Sequence, residues 1–169
     1  MNAQKFTQKS IDAVKNAQSI AIDNQNSQIE QEHLLYALLI QDDSLIKQLF
    51  KRMNTNDTFI ESLEKEIKNK PKISGSGATT LDQIYVSRDT NEALSAAEKE
   101  ANRMKDDYIS VEHIMIGLFD RANYKLKELF NTYNISKDAF LKVFCICSLQ
   151  RKKEFFNSCQ TCSHAHAGA

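Results

Sequence analysis

Apolar residues recur along this chain with the spacing of helices, three, four or seven positions apart. One face of the first predicted helix carries Phe6, Ala13, Val14, Ala17 and Ala21. Its three alanines form a smooth strip that another helix can approach closely. The run 33–40 is apolar nearly all round, so we predict that the second helix is the buried one.

Two further helices are predicted before residue 70. The third is marked by Leu45, Ile46, Leu49 and Phe50. The fourth is marked by Phe59, Ile60, Leu63 and Ile67. A four-helix unit alone does not cover both faces of its apolar second helix, so we predict that a second unit packs against the first about a pseudo-twofold axis.

The second unit is present in the sequence as a repeat of the first. Sliding residues 6–60 over 86–140 without gaps gives eleven identical pairs, including Glu32-His33 with Glu112-His113. Random pairing gives about three, which indicates a duplicated unit. The sequence therefore predicts an all-α fold with two pseudo-twofold-related repeats of four helices.

The predicted boundaries follow from this repeat. Repeat 1 covers about 3–69 and repeat 2 about 85–144, joined by a linker at 70–84 that contains the only proline and two of the four glycines. Together they form one domain, 1–144, followed by a divergent tail, 145–169.

Composition supports helices and narrows the partners. Gly 4 and Pro 1 in 169 residues leave few turns for a many-stranded fold. The 22 basic and 22 acidic side chains cancel, so charge gives no reason to expect nucleic acid or an anionic membrane as a partner. The polar start and the absence of a long apolar stretch predict a cytoplasmic protein.

The motifs of the two halves carry a family resemblance. They read IEQEHLLYAL at 29–38 and YISVEHI at 108–114, with Lys-Phe-Thr at 5–7 and a Pro-to-Gly loop at 71–77. Over about 1–144 this duplicated pattern resembles the Clp N-terminal (Clp repeat) domain family. Within the family it is most similar to the ClpB-type disaggregases.

The resemblance implies a substrate-binding accessory domain of an ATP-dependent AAA+ chaperone in the stress response. Unfolded or aggregated client proteins are the implied partners, and the full-length form is implied to be a homohexamer working with a co-chaperone system. ATP belongs to downstream modules. No Gly-x-x-x-x-Gly-Lys-Ser/Thr stretch occurs in this chain, so we expect no enzyme activity, catalytic residue or cofactor here.

The resemblance also implies three residues in substrate handling: Thr7, Asp106 and Glu112. A client site also needs exposed apolar surface. The candidates for an apolar groove are Leu94, Ala97, Tyr108, Ile109 and Ile114. The same spacing also describes a plain core, and both readings stay open. A carboxylate near a helix start can pair with basic residues of a client.

Histidine and cysteine offer other chemistry. His33 and His113 occupy equivalent positions early in apolar helices, where a hydrogen-bonded structural role is the better reading. The candidate zinc ligands all lie in the tail: Cys145, Cys147, Cys159, Cys162, His164 and His166. Their spacing fits no common zinc finger, and a tail arising from truncation or a frame shift competes with a metal site. The alternative function is a stand-alone Clp-like adaptor or zinc-binding regulator.

Overall fold

The computed structural model describes residues 3–55, 57–73 and 84–148. Repeat 1 contains a short 3-10 helix and then, in order, α1 Gln8–Asp23, β1 Gln28–Ile29, α2 Gln31–Ile40, α3 Leu45–Arg52 and α4 Thr58–Lys68. Repeat 2 contains β2 Tyr85–Val86, α5 Arg88–Met104, α6 Val111–Asp120, α7 Tyr124–Thr132 and α8, residues 137–148. The predicted all-α fold of two four-helix repeats is confirmed.

The first helix of each repeat begins at a hydroxyl N-cap. The side chain of Thr7 accepts a hydrogen bond from the backbone N–H of Ser10 at 3.3 Å. Ser87, the equivalent residue of repeat 2, does the same for the N–H of Thr90 at 3.2 Å. Each cap satisfies one of the backbone donors that a helix leaves unpaired at its start.

The two repeats are joined at two equivalent places, where a short extended segment of one repeat forms backbone hydrogen bonds with a segment of the other. The backbone N–H of Thr7 in repeat 1 donates to the carbonyl of Ile109 in repeat 2 at 3.0 Å. The N–H of Ser87 donates to the carbonyl of Ile29 at 3.0 Å. Thr7 is equivalent to Ser87, and Ile109 is equivalent to Ile29, so these two contacts define the pseudo-twofold relation between the halves.

Small residues bring the helices of each repeat close together. The alanine strips of α1 and α5 are buried: Ala13, Ala17, Ala21, Ala93, Ala97 and Ala101. Against the second strip lies Gly117 of α6. A Cβ at that position would lie 2.2 Å from the carbonyl oxygen of Ala93 and 2.9 Å from the amide nitrogen of Ala97. Glycine is therefore required at this crossing.

Aromatic side chains fill the other end of the core and draw on both repeats. Phe59 of α4 stacks on Phe130 of α7 with ring centroids 6.4 Å apart, and Phe140 of α8 lies 5.5 Å from Phe119 of α6. Phe59 and Phe140 are fully buried. The boundary predicted at residue 144 falls within α8, which continues through 148 and buries Cys147.

The beginning of the predicted linker is bonded to repeat 1. The N–H of Ile73 donates to the carbonyl of Gln25 at 2.8 Å, and the side-chain amide of Asn26 donates to the carbonyl of Pro71 at 3.2 Å. Residues 74–83 of the linker lie outside the described residues. Among the described helices, none has the length and hydropathy of a transmembrane span.

Candidate functional site

The pairing of the extended segments places Thr7 next to repeat 2. Besides the bond from its N–H to Ile109, the N–H of Ile109 donates to the carbonyl of Lys5 at 2.7 Å. Thr7 and the segment that leads into α6 therefore share one surface, although they lie in different halves of the sequence. Two elements that the resemblance implied for substrate handling are adjacent in the structure.

Asp106 is held in this surface by His113. The carboxylate oxygen Oδ2 of Asp106 lies 3.1 Å from Nε2 of His113. The other ring nitrogen, Nδ1, accepts the backbone N–H of Ser110 at 3.0 Å, so the ring hydrogen lies on Nε2 and faces Asp106. The Asp106 side chain is 54% exposed, so the carboxylate is oriented by the protein and still open to solvent.

Glu112 lies in the first turn of α6, where the helix dipole stabilises a negative charge. Its side chain is half-buried. Among the described residues it has no ion-pair partner. The turn before α6 adds Tyr108, which is 58% exposed. The surface thus combines two carboxylates, a hydroxyl and one aromatic ring.

The other groove candidates lie in the core. The side chains of Leu94, Ala97, Ile109 and Ile114 are at most 2% exposed. In this conformation they have no apolar surface to offer a ligand, and the plain-core reading describes them. Their binding of a client stays an untested prediction, and Tyr108 alone of the five is open to solvent.

The equivalent helix start in repeat 1, that of α2, is buried. His33 accepts the N–H of Glu30 on Nδ1 at 2.9 Å and places Nε2 3.0 Å from the amide oxygen of Asn26. Burial, with a smaller contribution from the charge of Lys70, lowers the pKa of His33 to about 4. Both histidines therefore have the structural role that their position indicated.

Lys70 covers the two carboxylates at the start of α2 in repeat 1. Its ammonium nitrogen lies 2.7 Å from a carboxylate oxygen of Glu30 and 3.2 Å from one of Glu32. The other oxygen of Glu32 accepts the side-chain N–H of Asn123 at 3.2 Å. Glu32 is the repeat equivalent of Glu112, but its side chain is buried and paired.

Sequence reasoning missed the buried polar groups that join the repeats. The side-chain amide of Gln31 donates to the carbonyls of Asp89 and Arg121 at 2.8 and 2.7 Å. Its oxygen accepts the N–H of Asn123 at 2.8 Å. The only signal was a polar residue next to an apolar run, a place that surface residues also occupy.

The tail candidates are mostly not described. Cys145 is exposed and Cys147 is buried on α8. The remaining four, Cys159, Cys162, His164 and His166, lie outside the described residues. Within the described part no group of three or more histidine, cysteine or acidic side chains could hold a metal ion. A zinc site in the tail stays a prediction.

The fold and its duplicated helix starts define a class of domain. The profile of the Clp repeat (R) N-terminal domain matches residues 5–133. The chaperone protein ClpB of Bacillus anthracis is 34% identical over 143 residues, which are 84% of this chain and 16% of that protein. The chain belongs to the Clp repeat N-terminal domain family, and the expected resemblance is confirmed.

Solved structures agree on the fold. The Hsp104 N-terminal domain of Candida albicans superimposes with a TM-score of 0.71 and 24% identity, covering 82% of this chain and 88% of that one. The ClpV N-domain in complex with a VipB peptide superimposes with a TM-score of 0.63 and 18% identity, covering 78% and 81%. The match to ClpB includes only the N-terminal Clp domain and not the ATPase modules.

Proposed function

We propose that this chain is the client-binding N-terminal domain of a ClpB-type ATP-dependent AAA+ chaperone. It acts by reversible capture of unfolded or aggregated proteins, and ATP is hydrolysed in modules outside this chain. The observation that carries the proposal is the backbone pairing of Thr7 with Ile109, which places Thr7 beside the segment that holds Asp106, Tyr108 and Glu112. Family membership and a peptide complex of the ClpV N-domain support it.

The paired acid in repeat 1 indicates the chemistry of capture. There an ammonium group, that of Lys70, binds two helix-start carboxylates at 2.7 and 3.2 Å. The equivalent carboxylate of Glu112 has no such partner in the described chain. A lysine or arginine of a client fits this vacant role, while the exposed ring of Tyr108 covers an apolar neighbour.

This mode of binding is weak by design. Few apolar side chains are exposed at the surface, and a charge pair in solvent contributes about 1 kcal/mol or less. Weak capture suits a domain that must bind many sequences and release them. The proposal includes a homohexameric full-length protein that works with a co-chaperone. It also includes a cytoplasmic location, because ATP-driven disaggregation needs ATP and clients in one compartment.

The test is binding of labelled unfolded casein, followed by fluorescence anisotropy, to the full 169-residue chain and its variants. Thr7→Ala and Glu112→Ala are each expected to weaken binding at least threefold. Ser87→Ala is the matched control for Thr7, because it removes the same cap in the other repeat. Glu61→Ala is the control for Glu112, because Glu61 is an exposed first-turn carboxylate of α4.

Equal losses in the variants and their controls would reject the site, since a general loss of stability explains that result. No detectable binding at millimolar concentrations of a casein peptide would reject the function. Far-ultraviolet circular dichroism on each variant shows whether the helices are retained.

A further inference from the structure

A groove of about 650 Å³ follows the exposed face of α5 and shares no residue with the client surface described above. Its lining includes Arg88, Asn91, Ser95 and Lys99 on successive turns of α5, with Arg121 at the end of α6. The helix from Arg88 to Lys99 extends over about 16 Å along its axis. An extended peptide of about five residues has this length.

The groove is basic. The guanidinium of Arg88 is paired with Glu92 at 3.0 Å, so these two charges offset each other. Lys99 and Arg121 are exposed, and neither has an ion-pair partner among the described residues. The net charge of the lining is therefore about two positive charges on a chain whose total is zero.

The internal repeat shows that the fold does not require these charges. The positions of repeat 1 equivalent to Arg88, Lys99 and Arg121 hold Gln8, Ser19 and Gln41. On that side of the molecule, the side-chain amide of Gln41 donates to the carbonyl of Lys9 at 2.8 Å. These three positions are neutral in repeat 1 and cationic in repeat 2, although repeat 1 has Lys15 at the position of Ser95.

We propose that this groove binds an extended acidic peptide segment of a partner protein. Two carboxylates of the segment pair with Lys99 and Arg121, the latter able to form two parallel hydrogen bonds. Asn91 and Ser95 also line the groove. The hydroxyl of Ser95 and the side-chain amide of Asn91, which also donates to the carbonyl of Val86 at 3.3 Å, hydrogen-bond the peptide backbone. The length and the two cations favour a short peptide with acidic side chains near both ends.

The test uses the full chain and a short synthetic peptide with Asp or Glu near both ends, in low salt. Amide shifts in the NMR spectrum are expected to cluster on α5 and at Arg121. The double variant Lys99→Ser with Arg121→Gln installs the repeat 1 residues and is expected to weaken binding at least fivefold. Raising the salt to about 0.5 M is expected to weaken it similarly.

The matched control is Lys127→Ser with Lys142→Gln, which removes two exposed charges outside the groove and should leave peptide binding unchanged. The same peptide with lysine in place of its acids should not bind. Equal binding by both double variants, shifts away from α5, or no shifts at millimolar peptide would overturn the proposal. So would inorganic polyphosphate that displaces the peptide and shifts the same amides equally, because the groove would then be an unspecific anion surface. Thr7→Ala should leave this peptide's affinity unchanged, so the result is independent of the casein experiment.

Discussion

The starts of α2 and α6 have the same frame and opposite exposures. In repeat 1 the ring of His33 is buried against a neutral amide, that of Asn26. In repeat 2 the ring of His113 faces the carboxylate of Asp106, which is half exposed. Duplication supplied two equivalent helix starts, and one became part of the core while the other kept its polar groups at the surface.

The two helix starts differ in the side chains that contact their carboxylates. Lys70, the first residue of the linker, lies over Glu30 and Glu32 and forms an ion pair with each carboxylate. A buried carboxylate needs such a partner because desolvation of an isolated charge is costly. Glu32 at the start of α2 is structural because Lys70 pairs with it, whereas its equivalent Glu112 at the start of α6 is only half-buried and has no ion-pair partner among the described residues.

The largest effect is expected where the repeats differ by one methyl group. Gly117→Ala places a Cβ 2.2 Å from a backbone oxygen of α5, and backbone cannot move aside as a flexible side chain can. We expect a loss of about 3 kcal/mol in the free energy of unfolding, measured by urea denaturation.

The control for Gly117 is its repeat equivalent, Ala37, which is buried with its Cβ in place. Ala37→Gly should cost about 1 kcal/mol, the difference in helix propensity. If Gly117→Ala proves as mild as this, the two helix crossings are interchangeable and the comparison fails at this point.

The next effect is the pH dependence of stability from His33. Its pKa is about 4 in the folded protein and about 6.5 in an unfolded chain, so the unfolded state binds more protons between these values. The contribution of neutral His33 to the free energy of unfolding is fully present above pH 6.5. It falls by up to about 3 kcal/mol as the pH drops to 4. Urea unfolding from pH 7 to pH 4 measures this.

The His33→Gln variant isolates this contribution. The difference between the pH profiles of parent and variant measures the contribution of His33 together with its coupling to Glu30 and Lys70. Parallel profiles would show that protonation of His33 does not oppose folding.

A smaller effect is expected from Lys70→Met. The change leaves the buried carboxylate of Glu32 without its cation, and we expect a loss of about 2 kcal/mol at pH 7. The control is Lys68→Met, which removes an ion pair with Glu64 whose two side chains are exposed and screened by solvent, and it should change stability much less. Equal values from urea unfolding would mean that Lys70 does not close the site.

The smallest effect on stability is expected from Asp106→Asn, which gives repeat 2 the residue of repeat 1. Because this carboxylate is half exposed, the change should stay below about 1 kcal/mol in thermal or urea unfolding. The reverse change, Asn26→Asp, introduces a carboxylate at a buried position and should cost more. Similar losses of stability for both variants would show that the two helix starts do not differ in burial as described.

Much of the fold could be predicted because its signals are local. Helical spacing depends on positions a few residues apart, and the constant register between the two halves can be found by sliding the sequence over itself. That register also predicted that Glu32-His33 and Glu112-His113 occupy equivalent helix starts. It could not predict their environments, because Lys70 reaches Glu30 and Glu32 from 40 and 38 residues away and the side-chain partners of the histidines, Asn26 and Asp106, are set by how the turn before each helix folds.

By itself, the sequence determined two copies of a helical unit and an apolar second helix in each, because helical periodicity acts within a few residues. Only the tertiary structure decided which side of each helix is covered. It placed Leu94 and Ile114 in the core, paired Gln31 with backbone groups of repeat 2, and left Tyr108 and Glu112 accessible. An apolar stripe looks the same in sequence whether another helix covers it or a ligand does, and burial is fixed by contacts between distant segments.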